Sequence, residues 1–246
     1  MNILNAIVLG IVQGLTEFLP VSSSGHLVIA QSLFGGFYQP GVLFDVILHL
    51  GTALSTLVFF RSRIFSIKSN FLGLIVIGSI PAGIVGFIFS DFIESIFSST
   101  TVVGIALLLT GIMNWQTDKS WGRRKFLGKI DAFFVGIAQA FAIIPGISRS
   151  GSTIFAATSL GVDRAEAAEF SFLLSVPAIA GASLYQLAKY AGEGGASFGV
   201  YLFGFLAAFV SGLIAISLAI RFLTEKRFKI FAFYCFFVGL LAVLVF

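Results

Sequence analysis

Apolar residues run along this chain in long blocks separated by short polar clusters. Six blocks are long: Gly41–Phe60, Phe71–Phe89, Ser98–Trp115, Phe170–Leu187, Phe198–Ile220 and Ile230–Phe246. Each is near the ~20 residues a helix needs to cross a bilayer. The pattern therefore predicts six membrane-spanning helices. Two further stretches are interrupted. Ile3–Pro20 is followed by Val21-Ser22-Ser23-Ser24-Gly25-His26 and a short run, Leu27–Phe37. Ala132–Pro145 is followed by Gly146-Ile147-Ser148-Arg149-Ser150-Gly151-Ser152-Thr153 and another short run, Ile154–Val162. The second run of each pair is too short to cross. The basic flanks Lys129 and Arg164 put entry and exit of the second pair on one side. Each pair is expected to form a re-entrant helix–loop–helix hairpin, whose polar loop is tolerated at depth only inside protein or beside a cavity.

Composition agrees with the pattern. Of the 246 residues, 58% are hydrophobic and 11% charged, and the mean hydropathy is +1.04. Soluble domains carry roughly 25% charged residues. A soluble globular protein, a disordered chain and a disulfide scaffold are excluded, the last because Cys235 has no partner. No A-x-A site follows the first apolar run, so a cleaved signal peptide is not expected. Thirteen of the 15 Lys and Arg fall in alternate loops, around Arg61–Lys68, Lys119–Lys129, Arg164 and Arg221–Lys229. The positive-inside rule places those loops in the cytoplasm and both termini outside.

The interrupted stretches are related at a constant offset of 126 residues. Gly10, Ile11 and Gln13 match Gly136, Ile137 and Gln139. Ser22, Ser24 and Gly25 match Ser148, Ser150 and Gly151. The register continues through Ala30 and Ala156, Gly35 and Gly161, Phe44 and Phe170, then Gly78 and Gly204. A single membrane domain, residues 1–246, is expected, built from two repeats of about 1–118 and 127–246. Three crossings per repeat is odd, so the second is inverted relative to the first. Inverted repeats put a site near the midplane, where broken helices meet and positive helix ends face one space.

The loops have diverged where chemistry needs it. Ser23 corresponds to Arg149, Glu17 to Ile143 and His26 to Ser152. An intramembrane arginine is a functional hypothesis by default, and its planar fork suits phosphate. Arg149 can also hold the hairpins together by pairing with Glu17. Glu17 can act as general base or bind a divalent cation. Gln13, one turn earlier on the same face, can orient Glu17 or a ligand. Ser23 is the candidate nucleophile or phosphate contact. His26 can take or give a proton, and Ser22 can contact phosphate or cap a helix. Ser148, Ser150 and Thr153 are candidate phosphate binders, with Ser152 beside them. Asp45 and His49 share a face of the first span and either pair or line the cavity. Asp163, Glu166 and Glu169 read as the charged start of a helix.

Gln13-Gly14-Leu15-Thr16-Glu17, followed by Ser22-Ser23-Ser24-Gly25-His26, resembles the [E/Q]-x-x-x-E and S-S-x-G-H signature of the bacterial undecaprenyl-diphosphate phosphatase family, also called the bacitracin-resistance protein family. Pro145-Gly146-Ile147-Ser148-Arg149-Ser150-Gly151-Ser152-Thr153 resembles its second motif, P-G-x-S-R-S-x-x-T. The resemblance covers essentially the whole chain. It implies an all-α integral membrane enzyme that hydrolyses undecaprenyl diphosphate to undecaprenyl phosphate and inorganic phosphate, with Glu17, Ser23, His26 and Arg149 as catalytic residues. This activity recycles the lipid carrier of cell-wall synthesis in the bacterial inner membrane. A divalent cation, Mg²⁺ or Ca²⁺, is implied as cofactor. With an amide at position 13, metal contact rests on Glu17, water and the substrate's diphosphate. Bacitracin is expected to compete for the substrate rather than bind the protein. No nucleic-acid partner is expected, and a homo-oligomer is compatible with this reading. The competing class is a transporter or flippase of a polyprenyl phosphate or another anionic lipid, since the same architecture serves transport.

Overall fold

The structure is a computed structural model that describes residues 1–27, 42–66, 69–96, 99–120, 122–189 and 197–245. The described residues are helical, with no strand among them; an isolated bridge pairs Arg124 with Val162. The helices are α1 (Ile3–Phe18), α2 (Val42–Phe59), α3 (Arg61–Phe65), α4 (Ser69–Ile88), α5 (Ser90–Ile96), α6 (Thr100–Thr117), α7 (Lys129–Phe141), α8 (Arg149–Ser159), α9 (Arg164–Lys189), α10 (Phe198–Thr224) and α11 (Lys229–Val245). Each of the six long apolar blocks carries one of them. Three, α4, α9 and α10, are long and apolar enough to cross a membrane. Beyond Leu27, the expected run Leu27–Phe37 lies outside the described residues. So do Lys68 and the repeat positions Ala30 and Gly35.

The burial pattern inverts that of a soluble protein. Leu72, Val76, Ile80, Ile84 and Phe87 form an exposed apolar stripe along α4. Gln13, Glu17, Asn114, Ser148, Ser150 and Thr153 are buried. Apolar groups outward and polar groups inward is the arrangement a lipid solvent favours. The chain is thus a helical membrane protein.

Glycines set the closest helix contacts. Gly10 of α1 lies against the backbone of Gly204 on α10, and Gly136 of α7 lies against the backbone of Gly78 on α4. A Cβ at Gly10 or Gly136 would fall inside van der Waals contact of the opposing carbonyl oxygen. Small residues at such crossings let backbones approach. These two contacts join the four positions related by the 126-residue offset, each crossing from one half of the chain to the other. Helix α6 packs against α11, and α2 against α9 and α10.

The ends of α7 and α8 lie together. Arg124 donates Nη1 to Asp131 Oδ2 at 2.6 Å and Nη2 to Asp131 Oδ1 at 2.9 Å, in the first turn of α7. The same Nη2 donates to the carbonyl of Leu160, just past α8, at 2.9 Å. One guanidinium therefore ties the start of the helix pair to its finish. Between the helices the chain turns at Gly146, with φ +94°. A side chain there would meet the backbone of Val103, so both the dihedral and the space require glycine.

Candidate active site

Helix α1 delivers Gln13 and Glu17 to the interior on one face. Four residues of separation stack their side chains, and Gln13 Nε2 donates to Glu17 Oε2 at 3.0 Å. The chain then leaves the helix through Leu19 and Pro20 and turns back at Ser22, a non-glycine residue with φ 69°. That turn returns Ser23 to the helix it has just left. Its hydroxyl donates to Glu17 Oε2 at 2.7 Å.

Helix α8 begins at Arg149, capped by Ser148, whose Oγ accepts the amide of Gly151 at 3.1 Å. Arg149 Nη2 donates to Glu17 Oε1 at 2.7 Å, and its Nη1 donates to the carbonyl of Ser171 at 3.2 Å. Both charged side chains are largely buried. Thr153, one turn into α8, donates to the carbonyl of Arg149 at 2.8 Å and shares a 2.6 Å hydrogen bond with Ser171 Oγ. Thr110 of α6 accepts the amide of Ser148 and donates to the carbonyl of Gly146, each at 3.0 Å.

The two loops repeat one another bond for bond. Ser22 Oγ accepts the amide of Gly25 at 3.3 Å, as Ser148 Oγ accepts that of Gly151. Ser22 and Ser24 hydroxyls lie 3.3 Å apart, and those of Ser148 and Ser150 lie 3.2 Å apart. His26 Nδ1 donates to the carbonyl of Ser22 at 2.8 Å; Ser152 Oγ donates to that of Ser148 at 2.7 Å. The loops also touch. Asn114 donates Nδ2 to the carbonyl of Pro20 at 2.6 Å, and a Cβ at Gly151 would lie 3.1 Å from the same side chain's Oδ1. Ser150 Oγ reaches the carbonyl of Leu19 at 3.4 Å, and Cys235 Sγ lies 3.6 Å from that of Pro20.

Of the residues nominated from sequence, Gln13, Glu17, Ser23 and Arg149 form one connected cluster. Ser22, Ser148 and Ser150 shape the loops around it, and Thr153 supports Arg149 from behind. His26 stands apart. With Nδ1 donating to Ser22, its Nε2 meets the hydroxyl of Tyr234 at 2.7 Å. Among the described residues no hydrogen bond joins His26 to Ser23. The second imidazole is nearer the carboxylate: His49 Nε2 lies 3.9 Å from Glu17 Oε2, while its Nδ1 donates to the backbone carbonyl of Asp45 at 2.8 Å. The sequence marked His49 only as a pairing or lining residue. It gave no sign of Ser171, Thr110, Asn114 or Tyr234, whose roles arise from helix packing.

The residues present suit a hard divalent cation. Gln13 Nε2 is bonded to Glu17, which leaves Gln13 Oε1 buried with no partner among the described residues. An amide oxygen beside a carboxylate is an oxygen donor pair of the kind Mg²⁺ or Ca²⁺ takes. No group of three or more His, Cys, Asp or Glu placed to hold a metal ion occurs among the described residues, so water and substrate oxygens would supply the remaining ligands. Chemically, the site offers a guanidinium, a hydroxyl held on a carboxylate, and a helix N-terminus whose first amides have no intrahelical acceptor. This set suits an anionic phosphoryl group.

The family model described as Bacitracin resistance protein BacA matches residues 6–241. An undecaprenyl-diphosphatase of Christiangramia forsetii is 44% identical over 99% of this chain and 98% of the relative. One of Carboxydothermus hydrogenoformans is 41% identical over 97% of this chain and 95% of the relative. One of Methanococcus maripaludis is 43% identical over 94% and 95%, respectively.

Proposed function

The chain belongs to the Bacitracin resistance protein BacA family, and from that membership we propose that it hydrolyses undecaprenyl diphosphate to undecaprenyl phosphate and inorganic phosphate. The observation that carries this reading at the level of chemistry is the Ser23–Glu17–Arg149 cluster. A hydroxyl donates to a carboxylate that a buried guanidinium holds on its other oxygen. The product lipid returns to the pool that carries envelope precursors, and bacitracin acts by competing for the diphosphate.

The polyprenyl tail lies among the apolar helices and the diphosphate occupies the polar interior. Arg149 and the first amides of α8 neutralise the terminal phosphate, while Ser148 and Thr153 hold that helix end in place. Preorganised charge is most of what phosphoryl transfer requires. Ser23 attacks the terminal phosphorus, breaking the anhydride bond and expelling undecaprenyl phosphate, and water then hydrolyses the phosphoserine to inorganic phosphate; or Ser23 orients a water that displaces undecaprenyl phosphate directly. In either case Glu17 Oε2 accepts the proton. His26 orders the loop that carries Ser23 through its bonds to the Ser22 carbonyl and the Tyr234 hydroxyl. Glu17 and Gln13 Oε1 would hold a divalent cation, which neutralises diphosphate charge when bound.

The fold proposed for this activity is six spans and two re-entrant hairpins in an inverted repeat. Arg124, tied to both ends of the α7–α8 pair, supports the re-entrant path of that hairpin. The reciprocal glycine crossings and the matching loop hydrogen bonds support the repeat. The basic loops lie in the cytoplasm and the termini outside.

The test is phosphate release from undecaprenyl or farnesyl diphosphate by purified protein in detergent, with Mg²⁺, Ca²⁺ or EDTA. Release by wild type and loss in Arg149→Ala are expected. No release from folded wild type under any condition would overturn the assignment in favour of a carrier for the same head group.

A further inference from the structure

We propose that the turns joining α6 to α7, α8 to α9 and α10 to α11 form a second anion site, one that takes a phosphate monoester or inorganic phosphate. The proposal goes beyond the phosphatase reading and does not rest on it. These turns enclose a cavity of about 290 Å³ with Arg123, Asp163, Arg164 and Lys226 in its walls. The frame is built by bonds to the backbone. Asp118 Oδ1 and Oδ2 accept the amides of Phe228 and Lys229 at 3.0 and 2.9 Å, which ties the α10–α11 turn to the end of α6. The amides of Arg123 and Arg124 donate to the carbonyl of Gly161 at 3.2 and 3.0 Å, and that of Asp163 donates to the carbonyl of Arg124 at 2.9 Å. The catalytic cluster lies elsewhere. Ser171, whose carbonyl receives Arg149, stands about two turns further along α9 than Arg164, or about 10 Å.

Arg164 carries the argument. It is 7% exposed, and among the described residues it has no carboxylate partner. Its hydrogen bonds all leave from Nη2, to the carbonyls of Thr117, Asp118 and Ser120 at 3.3, 3.0 and 2.9 Å. Nε and Nη1 have no acceptor among the described residues, on a side chain that borders the cavity. Carbonyl dipoles at the end of α6 offset part of this charge, but a buried guanidinium is best served by an anion. The Arg123 side chain likewise makes no hydrogen bond or ion pair among the described residues; only its amide is engaged. With Lys226 the walls hold three cations against the carboxylate of Asp163, which also accepts the amide of Ala165 at 3.0 Å. The balance is suited to a doubly charged phosphate monoester, whose oxygens match the planar donors of a guanidinium.

The test reads the cavity locally. Thr224 lies on its exposed rim, and the native Cys235 is buried, so Thr224→Cys takes an environment-sensitive fluorophore at one place. Labelled full-length protein in detergent is titrated with inorganic phosphate, dihexanoyl phosphatidic acid and dihexanoyl phosphatidylcholine, at about 0.15 M NaCl to screen diffuse surface charge. Saturable binding of a phosphate probe is expected, with Kd raised about tenfold or more in Arg123→Gln/Lys226→Gln. Response to phosphatidic acid alone makes a lipid headgroup the source, and response to phosphate alone makes it the free ion; each supports the site. No response to either, an unchanged Kd in the double variant, or equal affinity for phosphatidylcholine would overturn it. Release from farnesyl diphosphate by the double variant should stay within about twofold of wild type in kcat/KM, because neither cation belongs to the catalytic cluster. A larger loss would overturn the separateness of the site. Absence of release by wild type would overturn the phosphatase reading and leave this site standing.

Discussion

The carboxylate of Glu17 meets the guanidinium of Arg149 at 2.7 Å, across 132 residues of chain. This one ion pair joins the two loops and sits beside Ser23. Its members are therefore structural and chemical at once, and substitutions separate the two roles by geometry. Removing one partner of a buried pair costs about 3–5 kcal/mol, because the other charge is left uncompensated.

Arg149→Ala is accordingly expected to lose phosphate release by about a thousandfold and to lower the melting temperature in detergent. Arg149→Lys keeps the charge but cannot serve both the Glu17 carboxylate and the Ser171 carbonyl through a planar fork. It should melt near wild type while kcat falls roughly tenfold to a hundredfold. Equal losses of stability and activity in the two variants would contradict this division.

Ser23→Ala removes the hydroxyl that donates to Glu17 and leaves the partly exposed loop otherwise intact. The expected outcome is a loss of about a hundredfold or more in kcat with a melting temperature close to wild type. Steady-state release and a thermal scan on one preparation check both halves.

The glycine crossings make a prediction free of the chemistry. Alanine normally favours a helix over glycine by about 1 kcal/mol. At Gly10 and Gly136 its methyl would strike the opposing backbone, whereas at Gly83 nothing lies within 4 Å. Gly10→Ala and Gly136→Ala should lower the melting temperature by several degrees, and Gly83→Ala should leave it unchanged or raise it. Thermal melts of the three variants in one detergent decide it.

Gln13→Glu supplies a second carboxylate one turn before Glu17. If Gln13 Oε1 and Glu17 hold a divalent cation, the added charge should lower the Mg²⁺ concentration for half-maximal activity by about tenfold. Without metal the variant should be less stable than wild type, since like charges would share one buried face. A metal titration of release, with melts in EDTA, reads both effects.

The helices and their order were legible because lipid-facing segments must be apolar over a fixed length, and that constraint is written residue by residue. The helices at the blocks of α4, α9 and α10 follow from it directly. The shorter or more polar ones at Val42–Phe59 and Thr100–Thr117 were visible only as apolar blocks near the expected length. The 126-residue register was also readable, since Ser22, Ser24 and Gly25 recur as Ser148, Ser150 and Gly151 with the same hydrogen bonds.

The sequence by itself determined which polar residues must be buried. Gln13, Glu17, Ser23 and Arg149 lie in or beside apolar segments that draw them away from bulk water, so each needed a polar partner. Only the tertiary structure decided who meets whom. Nothing local assigns Arg149 to Glu17 rather than to a lipid phosphate. Nor does anything local turn His26 toward Tyr234 and His49 toward Glu17. Those choices depend on how α1, α2 and α8 cross, and the crossings are fixed by close approach at distant glycines such as Gly10 against Gly204. Hydropathy is a property of each residue and its near neighbours. A hydrogen bond between loops depends on distances that only the packed helices set.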